Sequence, residues 1–414
     1  MMNKLFEFMN TKFAPIANKV SKNFIVSSIQ DAIMTILPLI LVSSIVTILS
    51  LINEIKPDLV NLGKMSDFSF GIVGIGVAFL IAYNIMEKSN LGDKKLLAGV
   101  TSLSLFLISI GPKITDTGTI SFEQARFGAT GLIMAMIVGI FVGVVMRLFS
   151  KFSFFKQDSG IPDFVIVWFD SLIPITLMLG FGLICTDYFN LDIYNVILSA
   201  FQPLSGIIQT FGGFVLINFI QAFLYSFGIS PWILTPIAYP VYMQAIADNH
   251  ALVAAGGEAV NIATNETVYG LFLIGGLGAT LTLVLLMAFM AKSMRLKAIG
   301  RATLIPSLFN INEPVIFGAP IAFNPFFMVG MWINGLLLPA LAYLSMYWGF
   351  VNIPSDSFML WYLPYPLQSF FATGGDWKAI VACFIFMGVS LLVWFPLFKM
   401  YDAQQLKVEA DTQD

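Results

Sequence analysis

Glu313 is a carboxylate within an apolar part of the chain, and its neighbours can also form hydrogen bonds. It follows Asn310-Ile311-Asn312 and precedes Pro314, a residue that favours the start or the break of a helix. A carboxylate accepts hydrogen bonds from hydroxyl groups, and asparagine amides both donate and accept them. The pattern predicts a polar site for a hydroxylated ligand; the alternative is a helix N-cap with a salt-bridged glutamate.

A second interrupted segment lies earlier, at Tyr225-Ser226-Phe227-Gly228-Ile229-Ser230-Pro231-Trp232, and continues through Pro236 and Pro240. Its Gly and Pro residues favour a re-entrant hairpin over a continuous helix. Two discontinuous apolar segments are typical of a transporter binding site. Aromatic residues in or after these segments can stack on a sugar ring, although each alone is more often a packing or interfacial residue: Trp232, Tyr239, Trp361, Tyr362 and Tyr365.

The composition of the whole chain indicates a membrane protein. Of its 414 residues, 58% are hydrophobic and 11% are charged, whereas a soluble domain carries about 25% charged residues. The apolar runs extend for roughly 17 to 25 residues and lack the period-two alternation of a β-barrel strand. The predicted fold class is an all-α polytopic membrane protein. The net charge of −3 carries no nucleic-acid signature.

The apolar runs predict about ten transmembrane helices in the lipid bilayer. The runs fall near 25–52, 69–87, 97–112, 129–149, 166–187, 211–228, 268–291, 326–349 and 380–398. The segments near 229–247 and 313–325 are the two predicted re-entrant hairpins. Amphipathic 191–207 is predicted to be an interfacial helix, or alternatively a core helix. The polar stretch 402–414 is predicted to be too short to fold alone.

Lysine and arginine residues in the short loops indicate the orientation of the chain. Alternate loops and the two ends together carry 16 of the 21 basic residues. The positive-inside rule assigns this side to the cytoplasm, so both termini are predicted to be cytoplasmic. No cleaved signal peptide is expected, because the first apolar run can serve as its own insertion signal.

For the other polar and sulfur-containing residues, a structural role is at least as well supported by the sequence as a chemical one. His250, the only histidine, is predicted to lie in a solvated polar loop. Cys185 and Cys383 lie in apolar stretches without a CxxC pattern, so inert thiols are favoured over a disulfide or metal site. No metal and no cofactor are predicted. Three aspartates lie in or at the ends of apolar runs, where capping or a structural hydrogen bond competes with function: Asp31, Asp170 and Asp187.

Several motifs resemble those of one family. Asn310-Ile311-Asn312-Glu313-Pro314-Val315-Ile316-Phe317-Gly318 is similar to the signature of the membrane subunit (EIIC) of bacterial phosphotransferase-system sugar permeases, in the lactose/cellobiose/diacetylchitobiose branch. Further motifs follow in the order that the family has: Ile29-Gln30-Asp31 with Leu37-Pro38-Leu39-Ile40, Pro162-Asp163-Phe164-Val165, Leu172-Ile173-Pro174, Ala372-Thr373-Gly374-Gly375-Asp376-Trp377, and Pro396-Leu397-Phe398-Lys399-Met400-Tyr401-Asp402.

The resemblance implies a homodimer in the bacterial cytoplasmic membrane, with ten membrane helices and two re-entrant hairpins in each chain. Residues 1–187 would form an N-terminal bundle for dimerisation, and 208–400 the part that binds and transports the sugar. The sugar would enter from outside and be phosphorylated by a separate phosphocysteine subunit, EIIB, in a system that also contains EIIA. The chain would therefore be the membrane component of a sugar phosphotransferase.

The resemblance also implies roles for individual residues. The glutamate matching Glu313 binds the hydroxyl group that is to be phosphorylated, and it can orient that hydroxyl or take its proton as a general base. The expected substrate is a β-glucoside, cellobiose or chitobiose type of disaccharide or oligosaccharide. The other predicted sugar-binding residues are Asn310, Asn312, Ser230, Trp232, Asp376 and Trp377.

Two positions depart from the family pattern. Where the family has Gly-Ile-His-Gly, this chain has Gly228-Ile229-Ser230-Pro231, and Gln30 stands where the family often has Arg. Ser230 can hydrogen-bond a hydroxyl group but cannot take a proton near neutral pH. The alternative hypothesis is an EIIC homologue without phosphorylation that acts as a facilitator, sensor or receptor. A third class, an ion-coupled transporter, would need an ion site at Asp31 or Asp170.

Overall fold

The structure is a computed structural model that describes residues 19, 22–55, 63–155, 162–229, 231–318 and 321–411. Its regular structure is almost entirely helical. The first half contains α1 (Phe24–Ile55), α2 (Gly63–Asp67), α3 (Val73–Lys88), α4 (Lys95–Ser109), β1 (Lys113–Ile114), β2 (Ile120–Ser121), α5 (Leu132–Phe149), α6 (Asp163–Leu183) and α7 (Ile193–Gln209). The strands β1 and β2 form one antiparallel pair.

The second half contains a series of helices separated by short irregular segments. They are α8 (Phe211–Ser226), α9 (Thr235–Ala254), α10 (Asn265–Thr267), α11 (Thr280–Met290), α12 (Met294–Leu308), α13 (Glu313–Gly318), α14 (Pro325–Tyr347), α15 (Tyr365–Ala372) and α16 (Trp377–Asp411). A π-helical turn, Val268–Phe272, follows α10 directly.

Five helical stretches among the described residues are long and apolar enough to cross a bilayer, and the pair α7 and α8, bent by 85°, makes a sixth if it is one span. The five are Lys64–Lys88, Ala129–Phe149, Asp163–Tyr188, Pro325–Tyr347 and Trp377–Asp411. The amphipathic segment predicted at 191–207 is helical as α7. The predicted number of ten spans stays a prediction.

The chain folds into two compact units, and the division falls between Leu204 and Ser205 within α7. The first unit contains Ser21–Val46 and Asn61–Leu204, and the second consists chiefly of Ser205–Asp414. The roles predicted for the two halves, dimerisation and sugar transport, stay predictions.

The core of the first unit depends on close approach between α3 and α5. A Cβ atom added at Gly139 would lie 2.8 Å from Ile81, and one at Gly143 would lie 2.8 Å from Ile85. Small residues four positions apart let two helices approach closely, which favours dispersion contacts between apolar side chains. The loop side of this unit is held by Arg126, whose guanidinium donates to both carboxylate oxygens of Asp192 at 3.1 and 2.9 Å.

The core of the second unit is built around Trp394 of α16, which is fully buried. Its indole Nε1 donates to the carbonyl of Ala279 at 3.2 Å, at the start of α11. Beside it, the hydroxyl groups of Thr282 and Ser390 lie 2.7 Å apart, and the Asn334 amide donates to Ser390 at 3.2 Å. These paired polar groups join α11, α14 and α16 in an otherwise apolar interior, where an unpaired polar group would be costly.

The polar stretch that was predicted to be too short to fold alone is part of α16 through Asp411. Two carboxylates in this extension hold the segment before and at the start of α12. Asp402 accepts from the backbone N–H groups of Lys292 and Ser293 at 3.1 and 2.9 Å, and Glu409 accepts from Arg295 N–H at 3.0 Å. The stretch is ordered because these backbone donors at a helix start bind its carboxylates.

The segment of the first predicted hairpin contains a turn and a helix, and its re-entrant character stays a prediction. A 3₁₀ turn, Pro231–Leu234, leads into the continuous 20-residue helix α9. Pro236 is tolerated because it lies in the first turn of α9, where a backbone N–H has no intrahelical partner. The prediction that His250 lies in a loop is wrong, since His250 belongs to the last turns of α9. The second predicted hairpin contains the six-residue helix α13, and α14 begins at Pro325 with Asn324 as its N-cap.

Candidate functional site

The second unit contains an open cavity lined by residues of α8 and α9, of the segment from Asn265 to Leu277, and of the segments around Asn310 and Trp361. Four of the predicted site residues line it: Trp232, Asn310, Asn312 and Glu313. The structure therefore brings together the two interrupted segments that the sequence singled out.

Glu313 is the first residue of α13, and it is exposed and lines the cavity. The start of α13 is fixed by backbone bonds of 2.9 Å from Val315 and Ile316 to the carbonyl of Asn312. Val315 and Ile316 are both completely buried in the core of the second unit. The carboxylate is thus carried by a short helix whose opposite face is anchored, and it is available to a ligand.

Asn310 has its amide group occupied by protein partners. Its Oδ1 accepts from Gly275 N–H at 2.8 Å, and its Nδ2 donates to the Trp361 carbonyl at 2.6 Å and to Gln368 Oε1 at 2.7 Å. Its backbone has a φ of 60°, a left-handed conformation that asparagine tolerates better than most residues. Asn310 therefore joins three segments of the cavity wall, a role that the local sequence does not reveal.

Asn312 is 5% exposed and packs against the turn that precedes α11. Its Nδ2 donates to the carbonyl of Leu277 at 3.1 Å, and the hydroxyl of Tyr225 lies 3.5 Å from its Oδ1. Gly276 has a φ of +100°, and a Cβ atom added there would lie 2.4 Å from Asn312 Cγ. A glycine is required at this position both by the backbone conformation and by the close approach of the asparagine.

Aromatic side chains form much of the remaining wall. Tyr225, Trp232, Tyr239 and Tyr242 come from α8, the 3₁₀ turn and α9, and Tyr269 stacks on Trp361 with ring centroids 5.5 Å apart and an interplanar angle of 27°. Flat aromatic faces with polar edges suit sugars, which present C–H faces and hydroxyl edges.

Among the described residues, some buried polar groups of the same wall lack a hydrogen-bond partner. They include the Tyr239 hydroxyl and the Asn265 Nδ2, on side chains that are 7% and 3% exposed. Buried polar groups are almost always paired, so unpaired donors beside a cavity indicate where polar groups of a ligand or water can bind.

Comparison with known proteins identifies the family of this chain. The sequence profile of the family described as "Phosphotransferase system, EIIC" matches residues 30–335. The chain is 31% identical to the lichenan permease IIC component of Bacillus subtilis (strain 168), over 100% of this chain and 97% of that protein. The chain belongs to the phosphotransferase-system EIIC family. It is thus a membrane permease component of a phosphotransferase system, as the signature around Glu313 predicted.

Other relatives and a solved structure agree with the assignment to EIIC. The oligo-beta-mannoside-specific EIIC component of Bacillus subtilis (strain 168) is 28% identical, over 98% of this chain and 96% of its own length. The lactose-specific EIICB component of Staphylococcus haemolyticus (strain JCSC1435) is 27% identical and is covered over 73% of its length. The crystal structure of the transporter ChbC, the IIC component of an N,N'-diacetylchitobiose-specific phosphotransferase system, matches with a TM-score of 0.87 at 27% identity, over 97% of this chain and 99% of that one. The predicted helical membrane fold is confirmed.

Two of the predicted sugar-binding residues of this EIIC chain lie elsewhere. The Asp376 carboxylate accepts from the backbone N–H groups of Asn352 and Lys378, both at 2.9 Å, and so joins the loop after α14 to the start of α16. The Trp377 side chain is 66% exposed. Neither residue is among those that line the cavity. Ser230, the residue in the position of the family histidine, lies outside the described residues.

His250 of the EIIC chain lies at the surface rather than at the cavity. Its Nδ1 lies 2.8 Å from Asp356 Oδ1, and its side chain is 67% exposed. The hydrogen bond with His250 holds the pKa of Asp356 below its ordinary value, and partial burial opposes this shift. The pair connects the end of α9 with the 350–364 loop between α14 and α15.

The aspartates that the sequence left open have structural partners. Asp31 pairs with Lys88 at 2.6 Å, and Asp170 accepts from the backbone N–H of Phe154 at 2.9 Å. The sequence did not single out Tyr269 or Asn265, which line the cavity. Tyr269 lies in the apolar run 268–291, which was predicted only as a membrane span, and Asn265 lies three residues before that run. The local pattern contains no signal that separates either residue from packing residues.

Proposed function

We propose that this EIIC chain binds a β-linked disaccharide or short oligosaccharide, of the β-glucoside, cellobiose or chitobiose class, in the cavity at Glu313. The observation that carries the proposal is the joint placement of the Glu313 carboxylate, two asparagines and a set of aromatic rings around one cavity. The relatives named for lichenan, oligo-beta-mannosides and N,N'-diacetylchitobiose support a β-linked substrate.

In the proposed reaction the sugar is carried across the membrane and presented to phospho-EIIB. A sugar hydroxyl oxygen attacks the phosphorus of the EIIB phosphocysteine, so that an O–P bond forms and the S–P bond breaks. Glu313 accepts the hydrogen bond of this hydroxyl and takes its proton as the oxygen attacks. Phosphoryl transfer depends mainly on alignment of the attacking oxygen and on charge stabilisation, which suits a single well-placed carboxylate.

Other residues of the cavity hold the sugar and its surroundings. Trp232, Tyr269 and Trp361 supply rings that stack on the sugar, while Asn265 Nδ2 and the Tyr239 hydroxyl donate to its hydroxyl groups. Asn310 and Asn312 act by fixing the wall, because their amides are bonded to the protein. The oligomer proposed for this system is a homodimer in the cytoplasmic membrane, with both termini in the cytoplasm. EIIA and EIIB are separate partners.

Uptake of labelled cellobiose and labelled N,N'-diacetylchitobiose into membrane vesicles tests this function. With phosphorylated EIIB inside the vesicles, the expected product is intravesicular sugar phosphate. Sugar that enters but stays unphosphorylated would favour the facilitator hypothesis, for which Ser230 in place of the family histidine is the specific argument.

The Ser230→His variant, assayed in the same vesicles, reports on that departure directly. If the missing histidine limits the reaction, the variant phosphorylates faster at an unchanged rate of sugar entry. An unchanged phosphorylation rate would mean that the serine is sufficient at this position.

A further inference from the structure

Glu266 is a completely buried carboxylate, 0% exposed, immediately after the cavity residue Asn265. Its Oε1 accepts from the backbone N–H of Phe358 at 3.0 Å. Among the residues that the structure describes, its Oε2 has no hydrogen-bond partner. In the part of the chain that the structure describes, the ion pairs involve other carboxylates, so no cation compensates Glu266.

A buried carboxylate without a cation is strongly destabilising when it is charged. A neutral carboxyl group fits the observed contacts better, because its carbonyl oxygen still accepts from Phe358 N–H and it carries no charge. The titratable groups around Glu266 also favour the neutral form of its carboxyl group. Asp356, in the same loop as Phe358, and Tyr239, on α9, both interact electrostatically with it. Asp356 is paired with His250, and its negative charge opposes a second negative charge on Glu266.

Glu266 acts on the cavity through the 350–364 loop. Glu266 and Tyr269 lie three residues apart on one segment, and Phe358 and Trp361 lie three residues apart on the loop. The Glu266–Phe358 hydrogen bond and the Tyr269–Trp361 stack therefore join the same two segments side by side. The Trp361 carbonyl also accepts from Asn310 Nδ2 at 2.6 Å, so the position of this loop sets the wall next to Glu313.

We propose that Glu266 is a positioning residue of the cavity that works as a neutral carboxylic acid. By accepting from Phe358 it holds the 350–364 loop, and with it the Trp361 ring, against the site. The proposal rests on the proposed function only in taking the ligand of this cavity to be a sugar. It assigns Glu266 no contact with the sugar and no part in phosphoryl transfer.

Amide hydrogen exchange in the detergent-solubilised full chain tests the position of the loop without any ligand. Glu266→Gln keeps an acceptor of the same length and no charge, so protection of peptides covering 352–363 is expected to match wild type. Glu266→Ala and the more volume-conserving Glu266→Leu remove the acceptor, and exchange there is expected to be about tenfold faster. Glu258→Gln, the same substitution at an exposed glutamate, is the matched control.

Binding of cellobiose and N,N'-diacetylchitobiose by calorimetry gives the second readout. Affinity is expected to be unchanged in Glu266→Gln and about tenfold lower in Glu266→Leu. A Glu266→Gln variant that loses loop protection as Glu266→Leu does would overturn the neutral role, since the charge would then be required. Wild-type loop protection in Glu266→Leu would overturn the positioning role. If the wild type binds neither sugar, the proposed function fails, while the exchange measurements still decide the role of Glu266.

Discussion

Glu313 combines an exposed carboxylate with a rigid support, which is what a residue that aligns a hydroxyl group requires. Substituting it tests the site at the scale of one residue. Glu313→Ala is expected to lower sugar affinity roughly tenfold to more than a hundredfold, because a charge-assisted hydrogen bond is worth about 1.5–3 kcal/mol. Calorimetry on the folded variant measures this, with cellobiose and N,N'-diacetylchitobiose as ligands.

Glu258→Ala is the matched control for this substitution, since that glutamate is exposed and does not line the cavity. Normal affinity in Glu313→Ala would contradict the site assignment. Glu313→Gln separates two roles of the carboxylate. If Glu313 takes the proton of the hydroxyl, the amide is expected to bind sugar more weakly and to reduce phosphorylation by a larger factor than uptake.

The sequence was sufficient to find the residues around Glu313 because a proline and two asparagines interrupt an apolar run there. It was not sufficient to separate their roles. The amide of Asn310 is engaged by Gly275, Trp361 and Gln368, partners that are 35 to 58 positions away along the chain. Contacts at such separations depend on tertiary packing, which the pattern of one segment does not contain.

The same limit applies to Asp376 and Trp377. They lie in a motif that the EIIC family shares, and this identified the family correctly. The carboxylate of Asp376 nevertheless bonds two backbone N–H groups and fixes the start of α16. A shared motif indicates a shared fold as readily as a shared ligand contact, and only the placement of the side chain distinguishes the two.

At the scale of elements, the glycine-rich turn between the π-helical turn and α11 supports the cavity wall. Gly276→Ala is expected to destabilise the protein by about 1–3 kcal/mol, because the methyl group meets Asn312 and a φ of +100° disfavours a side chain. The displaced Asn312 is also expected to weaken sugar binding. Thermal unfolding in detergent, together with calorimetry, measures the two effects.

Gly212→Ala is the matched control, since no atom lies within 4 Å of a Cβ added at that position of α8. It is expected to leave the unfolding temperature unchanged or slightly raised, because alanine favours a helix more than glycine does. Equal behaviour of Gly276→Ala and Gly212→Ala would show that the turn has room for a side chain and does not press on Asn312.

The His250–Asp356 pair, which attaches the 350–364 loop to α9 at the surface, predicts that the stability of the folded state depends on pH. The pKa of Asp356 is lowered by its hydrogen bond with His250 from an ordinary value of 3.8. A lowered carboxyl pKa stabilises the folded state above the ordinary value, and this stabilisation is lost as the pH falls through the lowered pKa. For a pair this exposed the effect is expected to be below about 1 kcal/mol.

Thermal unfolding in detergent from about pH 6 down to about pH 3 measures this contribution. The difference in unfolding temperature between the wild type and Asp356→Asn is expected to be positive at the upper end and to shrink toward the acid end. A difference that grows as the pH falls would contradict the sign derived from the pair.

At the scale of the whole molecule, composition and the apolar runs were enough for the fold class, because only helices and closed β-barrels span a bilayer and the runs lack the alternation of barrel strands. The secondary structure of the interrupted segments could not be predicted as well from the sequence. Glycine at 228 follows the end of α8 and proline at 236 lies at the start of α9, and the sequence alone predicted one hairpin over this region without locating these two helix ends. Both residue types occur at either feature, so only the capping geometry in the structure distinguishes them.

The distribution of basic residues predicts one orientation for the entire chain, which cysteine labelling in intact cells can test. In a background of Cys185→Ser and Cys383→Ser, we expect Thr117→Cys, at the exposed β1–β2 turn, to react with an impermeant maleimide from outside. Lys151→Cys and Lys407→Cys, both exposed, are expected to react only after the cells are permeabilised. The physical reason is that loops rich in lysine and arginine stay on the cytoplasmic side. Labelling of position 407 in intact cells would place the C-terminus outside and would put the proposed encounter with phospho-EIIB on the wrong face of the membrane.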